Sequence, residues 1–285
     1  MTIGEALKWA KGILRDKGVE GPENSAEFLL RQVLHKEKPY LFAHPDRELT
    51  LAQRTKYHSW VVQRSKHKPI WYIAGKIEFL GLDISVNQNV LIPRPETELL
   101  VEKIIEKVRG GFVPKSILDV GTGSGAIILS LVDNLERFPG EQFFASDVSA
   151  KALTVAKRNA KNLGFGKDID FKEGDLFAPW AGKKFDLIVT NLPYVPHEDM
   201  STLALDLIHY EPRTALDGGH MGLEIYKRFF QEVETHLNPG AKVFCEIGYD
   251  QGDKIKKLLS EILPNAEVTA TSDYADIDRI VIIET

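Results

Sequence analysis

Ser116-Ile-Leu-Asp-Val-Gly-Thr-Gly-Ser-Gly125 is the stretch whose reading decides the fold. Ile117, Leu118 and Val120 suit a short buried strand, interrupted only by Asp119. Gly121, Gly123 and Gly125 then let the backbone turn sharply and approach a ligand closely. An apolar helical pattern over 125–136 follows. Strand, glycine turn and helix together open an α/β sheet. Downstream the alternation continues. Strands are expected at 117–120, 143–146, 169–171, 187–189, 242–247, 267–271 and 279–283, and helices at 149–163, 222–237 and 250–263. This order implies a mainly parallel sheet with helices on both faces. The stretch 195–220, with Pro196, Pro212, Gly218 and Gly219, reads as the longest irregular connection, and such connections are commonly functional.

A second stretch marks the chemistry. Asp186-Leu-Ile-Val-Thr-Asn-Leu-Pro-Tyr194 begins as a buried strand and ends where Pro193 stops the ladder. Asn191 and Tyr194 thus fall at the carboxyl end of a strand, where open α/β sheets hold ligands. A carboxamide offers one acceptor oxygen and two N–H donors, so it can grip a planar NH2 group while an aromatic ring packs on its face. A plain strand-ending turn uses the same residue types.

The turn after the first strand has Gly-x-Gly-x-Gly spacing, not the Gly-x-Gly-x-x-Gly of dinucleotide folds. Asp119, just before it, favours a cationic ligand over a diphosphate. Asp147 ends the next strand, where a carboxylate can accept from a ribose diol. Gly174-Asp175-Leu176 ends the third, with Asp175 able to accept from an adenine amino group and Leu176 to pack on the ring. Each feature alone also suits a cap or a turn. Together they describe a cationic, ribose- and adenine-bearing ligand without phosphates, which is S-adenosylmethionine, with S-adenosylhomocysteine as product. The expected cofactor-binding set is Gly121, Thr122, Gly123, Ser124, Gly125, Asp147, Asp175, Leu176 and Asn191. No metal site is expected.

Composition is that of a globular protein: 285 residues, 43% hydrophobic, 27% charged, net charge −5. Residues 1–73 carry 13 Lys+Arg against 8 Asp+Glu, a balance of +5, and the rest 23 against 33, a balance of −10. The basic part peaks at Arg64-Ser-Lys-His-Lys68, which reads either as a solvated helix face or as a docking surface for an acidic or RNA-associated partner. The one cysteine, Cys245, lies in an apolar run and reads as a buried thiol. The first residues lack signal-peptide character, and no apolar run approaches the ~20 residues that span a bilayer. A cytoplasmic protein without membrane contact is expected.

Residues 1–73 are expected to form a helical bundle concerned with recognition. Ile3, Ala6, Leu7, Ala10, Ile13 and Leu14 recur at helical spacing up to Gly18. Asn24 or Ser25 is the expected cap of the next helix, and Thr50 precedes a third. Residues 74–93 alternate around Gly81 as a β-hairpin linker, and 94–285 form the catalytic domain. Pro95 or Thr97 is expected to start the helix after Val90-Leu-Ile-Pro-Arg-Pro-Glu-Thr-Glu98.

These motifs together resemble those of class I methyltransferases, and more closely the release-factor glutamine methyltransferase family. The likeness covers nearly the whole chain. It rests on Tyr72-Ile-Ala-Gly with Glu78-Phe, Leu91-Ile-Pro-Arg-Pro-Glu-Thr-Glu98, Leu118-Asp-Val-Gly-Thr-Gly-Ser-Gly-Ala126, Glu211-Pro-Arg-Thr-Ala-Leu-Asp-Gly-Gly219, Gly248 with Gln251, and Asp278-Arg279. The resemblance implies a Rossmann-like seven-stranded sheet and N5-methylation of the glutamine in the Gly-Gly-Gln motif of class 1 peptide release factors. It implies a protein substrate rather than nucleic acid, and a monomer is expected. It also implies that Asn191 and the carbonyl of Leu192, followed by Pro193 and Tyr194, hold the substrate amide. The family's signature is Asn-Pro-Pro-Tyr, whereas Asn191-Leu192-Pro193-Tyr194 is similar to the motif of rRNA adenine-N6 dimethyltransferases. A backbone carbonyl survives that exchange, and the residue before Pro193 stays extended. Methylation of adenine in nucleic acid, of a ribosomal-protein glutamine, or a non-catalytic binding role are the competing readings.

Overall fold

The computed structural model describes residues 1–135, 141–273 and 275–284. Residue 136, the end of the helix expected over 125–136, and residue 285, the end of the expected catalytic domain, lie outside them. The chain divides into two units, 1–76 with 204–210, and 77–203 with 211–285.

The first unit is helical: α1 Ile3–Asp16, α2 Pro22–Leu34, α3 Lys38–Ala43, α4 Leu51–Arg64 and α5 Ile70–Ala74. Thr2 caps α1 and Thr50 caps α4, each paired with Glu5 or Gln53 three residues on in a reciprocal capping box. Ile3, Ala6, Leu7, Ala10 and Leu14 are buried against Leu29, Leu30, Tyr57 and Val61. The expected α2 cap is corrected. Gly21 caps it in the left-handed conformation with Pro22 in the first turn, so Asn24 and Ser25 lie inside the helix. Proline suits that position because its missing N–H would have no partner there. α3 and α5 are too short to show a period in sequence.

Side-chain bonds cross the bundle. The Tyr57 hydroxyl donates to the Ala26 carbonyl at 3.0 Å, and Glu27 accepts from Lys11 and Lys38, each at 2.8 Å. Arg64 is buried and donates to the Ser25 hydroxyl and to the carbonyls of His67 and Lys68. The head of the basic run is therefore a structural tie, while Lys66 is exposed. The segment 204–210 joins this unit through Tyr210, whose hydroxyl donates to the Lys66 carbonyl at 2.8 Å, and through Asp206, 3.9 Å from Arg64.

The hairpin comprises β1 Lys76–Phe79 and β2 Leu82–Ser85. Leu80 and Gly81, both with positive φ, make its two-residue turn. The remaining elements are α6 Pro95–Arg109, β3 Ser116–Val120, α7 Ala126–Asn134, β4 Gln142–Asp147, α8 Ala150–Leu163, β5 Ile169–Glu173, β6 Phe185–Thr190, α9 Leu205–Tyr210, α10 Glu224–Val233, β7 Leu237–Glu246, α11 Gly252–Ile262, β8 Glu267–Ser272 and β9 Asp278–Glu284. Pro95 is in the first turn of α6, after Arg94 as cap. The stretch 195–220 is less irregular than expected, for it holds α9 and two 3-10 segments, His197–Thr202 and Arg213–Ala215.

The seven strands are ordered β5-β4-β3-β6-β7-β9-β8. The first five are parallel, and β9 runs antiparallel between β7 and β8. The order reverses direction beside β3, so the carboxyl ends of β3 and β6 flank the crevice where such sheets bind ligands. Val243, Ile188 and Val281 of the sheet pack with Phe229 and Phe230 of α10 and Leu259 of α11 in one buried core. Asn159 of α8 bonds Ser85 through both its N–H and carbonyl and also donates to the Ser124 carbonyl, which ties the hairpin to the glycine turn.

Candidate active site

The ends of four parallel strands meet at one cavity. Its wall includes Gly121, Thr122, Gly123 and Ser124 after β3, Asp147 at the end of β4, Asp175 and Leu176 after β5, and Asn191, Leu192 and Pro193 after β6. Of the residues predicted from sequence, Gly125 and Tyr194 do not line it. Gly125 lies underneath, where a Cβ would come within 3.0 Å of Leu129 and 3.3 Å of Ala156, so its bareness serves the packing of α7 on α8.

Protein groups hold the glycine turn. The N–H groups of Gly121 and Thr122 both donate to the Ser146 carbonyl at 2.9 Å. Asp147 accepts from the Gly123 N–H with Oδ2 and from the Ser149 N–H with Oδ1, each at 2.8 Å. Each carboxylate oxygen keeps a second lone pair. Burial raises the Asp147 pKa above the usual carboxylate range, against those two bonds. Asp119 is fully buried beneath the turn. Burial pushes its carboxyl up to about 7, opposed by the Thr122 hydroxyl, which donates to Oδ2 at 2.6 Å. Its Oδ1 is buried without a hydrogen-bond partner among the described residues. Asp175 is half exposed and pairs with Arg228. Leu176 is buried at positive φ, and a Cβ on Gly174 would strike Pro179 at 2.7 Å, which explains the glycine there.

At the end of β6, Asn191 donates from Nδ2 to the Thr97 hydroxyl at 3.1 Å. Thr97 in turn donates to Oε2 of Glu246 at 2.6 Å. The Tyr194 hydroxyl lies 3.5 Å from Oε1 of Glu246. Glu246 is the last residue of β7 and is buried. Burial raises its carboxyl to about 7, Glu96 adds to the rise, and hydrogen bonds from Thr97 and Asn191 and the charge of Arg279 oppose it.

Residues 5–75 match the PrmC N-terminal domain model and residues 114–274 the Methyltransferase domain model. The release factor glutamine methyltransferase of Bacillus anthracis is 36% identical over 100% of this chain and 99% of its own length. This chain belongs to the release factor glutamine methyltransferase family. The Bacillus subtilis (strain 168) relative of the same name is 38% identical over 98% of this chain and 96% of its own. In fold, a methyltransferase structure from Pyrococcus furiosus is similar with a TM-score of 0.50 and 19% identity, covering 72% of this chain and 89% of that one. The seven-stranded class I methyltransferase architecture expected from sequence is the one observed.

Three further family motifs pack around the Asn191–Tyr194 turn. Gln251 donates from Nε2 to the carbonyls of Tyr194 and Gly222, both at 3.1 Å, and accepts from the Gly248 N–H at 2.9 Å. Gly218 lies so close that a Cβ would sit 2.6 Å from the Pro193 carbonyl oxygen. Glu211 links this segment to the Ile-Pro-Arg-Pro run through Arg94 at 2.6 Å and the Ile92 N–H at 3.3 Å. Leu91, Pro93 and Thr97 of that run line the cavity. Leu192, at the position of the family's proline, is buried, and its Cδ2 lies 3.3 Å from where a Cβ on Gly121 would be. Its N–H donates to the Tyr226 hydroxyl at 3.3 Å, a bond that proline cannot make. Sequence reading missed Glu246 and the role of Thr97. The available signal was an acid closing an otherwise apolar strand. Among the described residues, no helix is long and apolar enough to cross a membrane.

Proposed function

We propose that this protein transfers a methyl group from S-adenosylmethionine to the side-chain N5 of the glutamine in the Gly-Gly-Gln motif of class 1 release factors. The observation that carries the reading is that Asn191 and Leu192 line the same cavity as the glycine turn, in a chain similar over its full length to enzymes named for this reaction. The cavity suits the donor. The carboxyl of Asp119 is a buried acceptor behind the turn, which favours a cation over a phosphate. Thr122 to Ser124 offer backbone at close approach, Asp147 keeps lone pairs for a ribose diol, and Leu176 gives an apolar face beside Asp175 for adenine. Bound there, the donor supplies an electrophilic sulfonium methyl.

A carboxamide nitrogen is a poor nucleophile because its lone pair is delocalised. Asn191 Oδ1 and the Leu192 carbonyl accept its two N–H groups, which orients the nitrogen and raises its electron density. As the new C–N bond forms the methyl–sulfur bond breaks, leaving the neutral thioether, and the surplus N–H proton then passes to solvent. Positioning of this kind supplies several kcal/mol of a barrier, on the order of 7 or more in the best intramolecular cases. The unit containing residues 1–76 recognises the release factor, and the protein acts as a cytoplasmic monomer on a protein rather than a nucleic acid.

The test is mass spectrometry of the Gly-Gly-Gln peptide of a class 1 release factor after incubation with the donor, with ribosomal protein and rRNA in parallel. A 14 Da gain on the glutamine is expected, abolished by Asn191→Ala, whose donor affinity by calorimetry should stay near wild type. Label in rRNA adenine alone would overturn the reading.

A further inference from the structure

We propose that Thr97 and Glu246 are positioning residues that fix the orientation of the Asn191 side-chain amide, so that its carbonyl oxygen faces the acceptor nitrogen. This rests on the Asn191–Tyr194 turn being the clamp for the substrate NH2.

An ionised carboxylate can only accept hydrogen bonds. Glu246 Oε2 lies 2.6 Å from Thr97 Oγ1, so the single hydroxyl proton of Thr97 is committed to it. Towards Asn191, 3.1 Å away, Thr97 can then only accept. The end of Asn191 that meets Thr97 must be the donor, Nδ2, and Oδ1 is left for the cavity that Asn191 lines. The amide turned over would set two acceptors against each other and forfeit a buried hydrogen bond. Polarity thus runs one way, from substrate N–H to Asn191 Oδ1, from Nδ2 to Thr97 and to Glu246 itself, and from Thr97 to Glu246. The relay joins Asn191, just past the end of β6, to Thr97 in α6 and Glu246 at the end of β7.

The same geometry makes the relay sensitive to protonation. A neutral Glu246 becomes a donor, Thr97 is released to donate to Asn191 Oδ1, and the amide can present its NH2 to the substrate NH2. The other charged and titratable groups facing Glu246 are Glu96 from α6, Arg279 from β9 and the Tyr194 hydroxyl, while Tyr226 of α10 donates to its backbone carbonyl. With the carboxyl at about 7, kcat should fall on the acid side of neutrality.

Four proteins test this: wild type, Thr97→Ser, Thr97→Val and Glu246→Gln, each checked for folding by circular dichroism. Thr97→Ser keeps the relay and should keep kcat. Thr97→Val and Glu246→Gln should lower kcat roughly 10- to 100-fold, with donor affinity falling much less than kcat. Glu246→Gln should also lose the acid limb of the kcat profile. Should Thr97→Val equal Thr97→Ser in kcat, or Glu246→Gln keep the wild-type acid limb, the relay does not orient Asn191. A readout independent of the acceptor is the side-chain 15N–1H signal of Asn191 in the donor-bound protein. It should shift in Thr97→Val and hold in Thr97→Ser, and an unshifted signal in Thr97→Val overturns the inference even if no release factor is methylated. Failure of wild type to methylate any release factor counts against the proposed substrate alone.

Discussion

Glu211 accepts a hydrogen bond from Arg94 at 2.6 Å across 117 positions of sequence, and its side chain is only 2% exposed. Two of the family motifs therefore meet at one buried carboxylate. Removing the cation leaves that carboxylate with a weaker set of partners. Arg94→Met should destabilise the protein by about 2 kcal/mol, and Arg94→Met with Glu211→Gln by less than Arg94→Met alone. Urea unfolding of the single and double variants gives the comparison, and a double variant less stable than Arg94→Met would contradict it.

Gly218→Ala would drive a Cβ to 2.6 Å from the Pro193 carbonyl and 2.9 Å from Tyr194 Cα, both backbone. Backbone cannot yield as a side-chain tip can, so the turn that carries Asn191 must shift. Methyl transfer should fall by at least about 100-fold, since small displacements of reacting groups cost that much. Donor affinity should fall much less, which calorimetry can check.

The Asp119 carboxyl has a folded-state value of about 7 against an ordinary 3.8. A raised value means that the folded state holds the proton more tightly. The associated stability is complete below about 3.8 and is lost as pH rises through about 7. Asp119→Asn removes this titration, so its stability relative to wild type should improve as pH rises across that window. Chemical denaturation below and above neutrality measures it, and a relative stability independent of pH would refute it. Donor binding should weaken in the same variant.

Leu192→Pro would restore the family's signature. It deletes the N–H that donates to Tyr226, but Tyr226 keeps its bond to the Glu246 carbonyl. Since the acceptor carbonyl of residue 192 is unchanged, kcat should stay within about tenfold of wild type, equivalent to roughly 1.4 kcal/mol. A larger loss in the methyl-transfer assay would mean that the leucine side chain against Gly121 is needed.

Much of this was legible in the sequence because it depends on local pattern. The central strands β6 and β7 carry short apolar runs, and Gly121, Gly123 and Asp147 advertise a turn and a strand end. What was hidden depends on contact over long sequence distance. Glu246 reads as an oddity in an apolar strand until Thr97, 149 residues away, is set against it. Tyr194 sits in the signature, yet only tertiary structure sets its hydroxyl beside Glu246, 52 positions further along the chain. α9 was hidden for another reason: six residues cannot display a helical period, and its partners Arg64 and Lys66 lie near the other end of the chain.

Asp147 sits between the glycine turn and the start of α8. By accepting from Gly123 and from Ser149, it fastens the glycine turn to the start of α8 with bonds made during folding. Fixing a residue's backbone costs roughly 1–2 kcal/mol of entropy. Here that ordering is settled when the chain folds, so a ligand arriving at the turn meets a preformed surface. Loosening Asp147 should therefore slow capture of the ligand as well as weaken its hold.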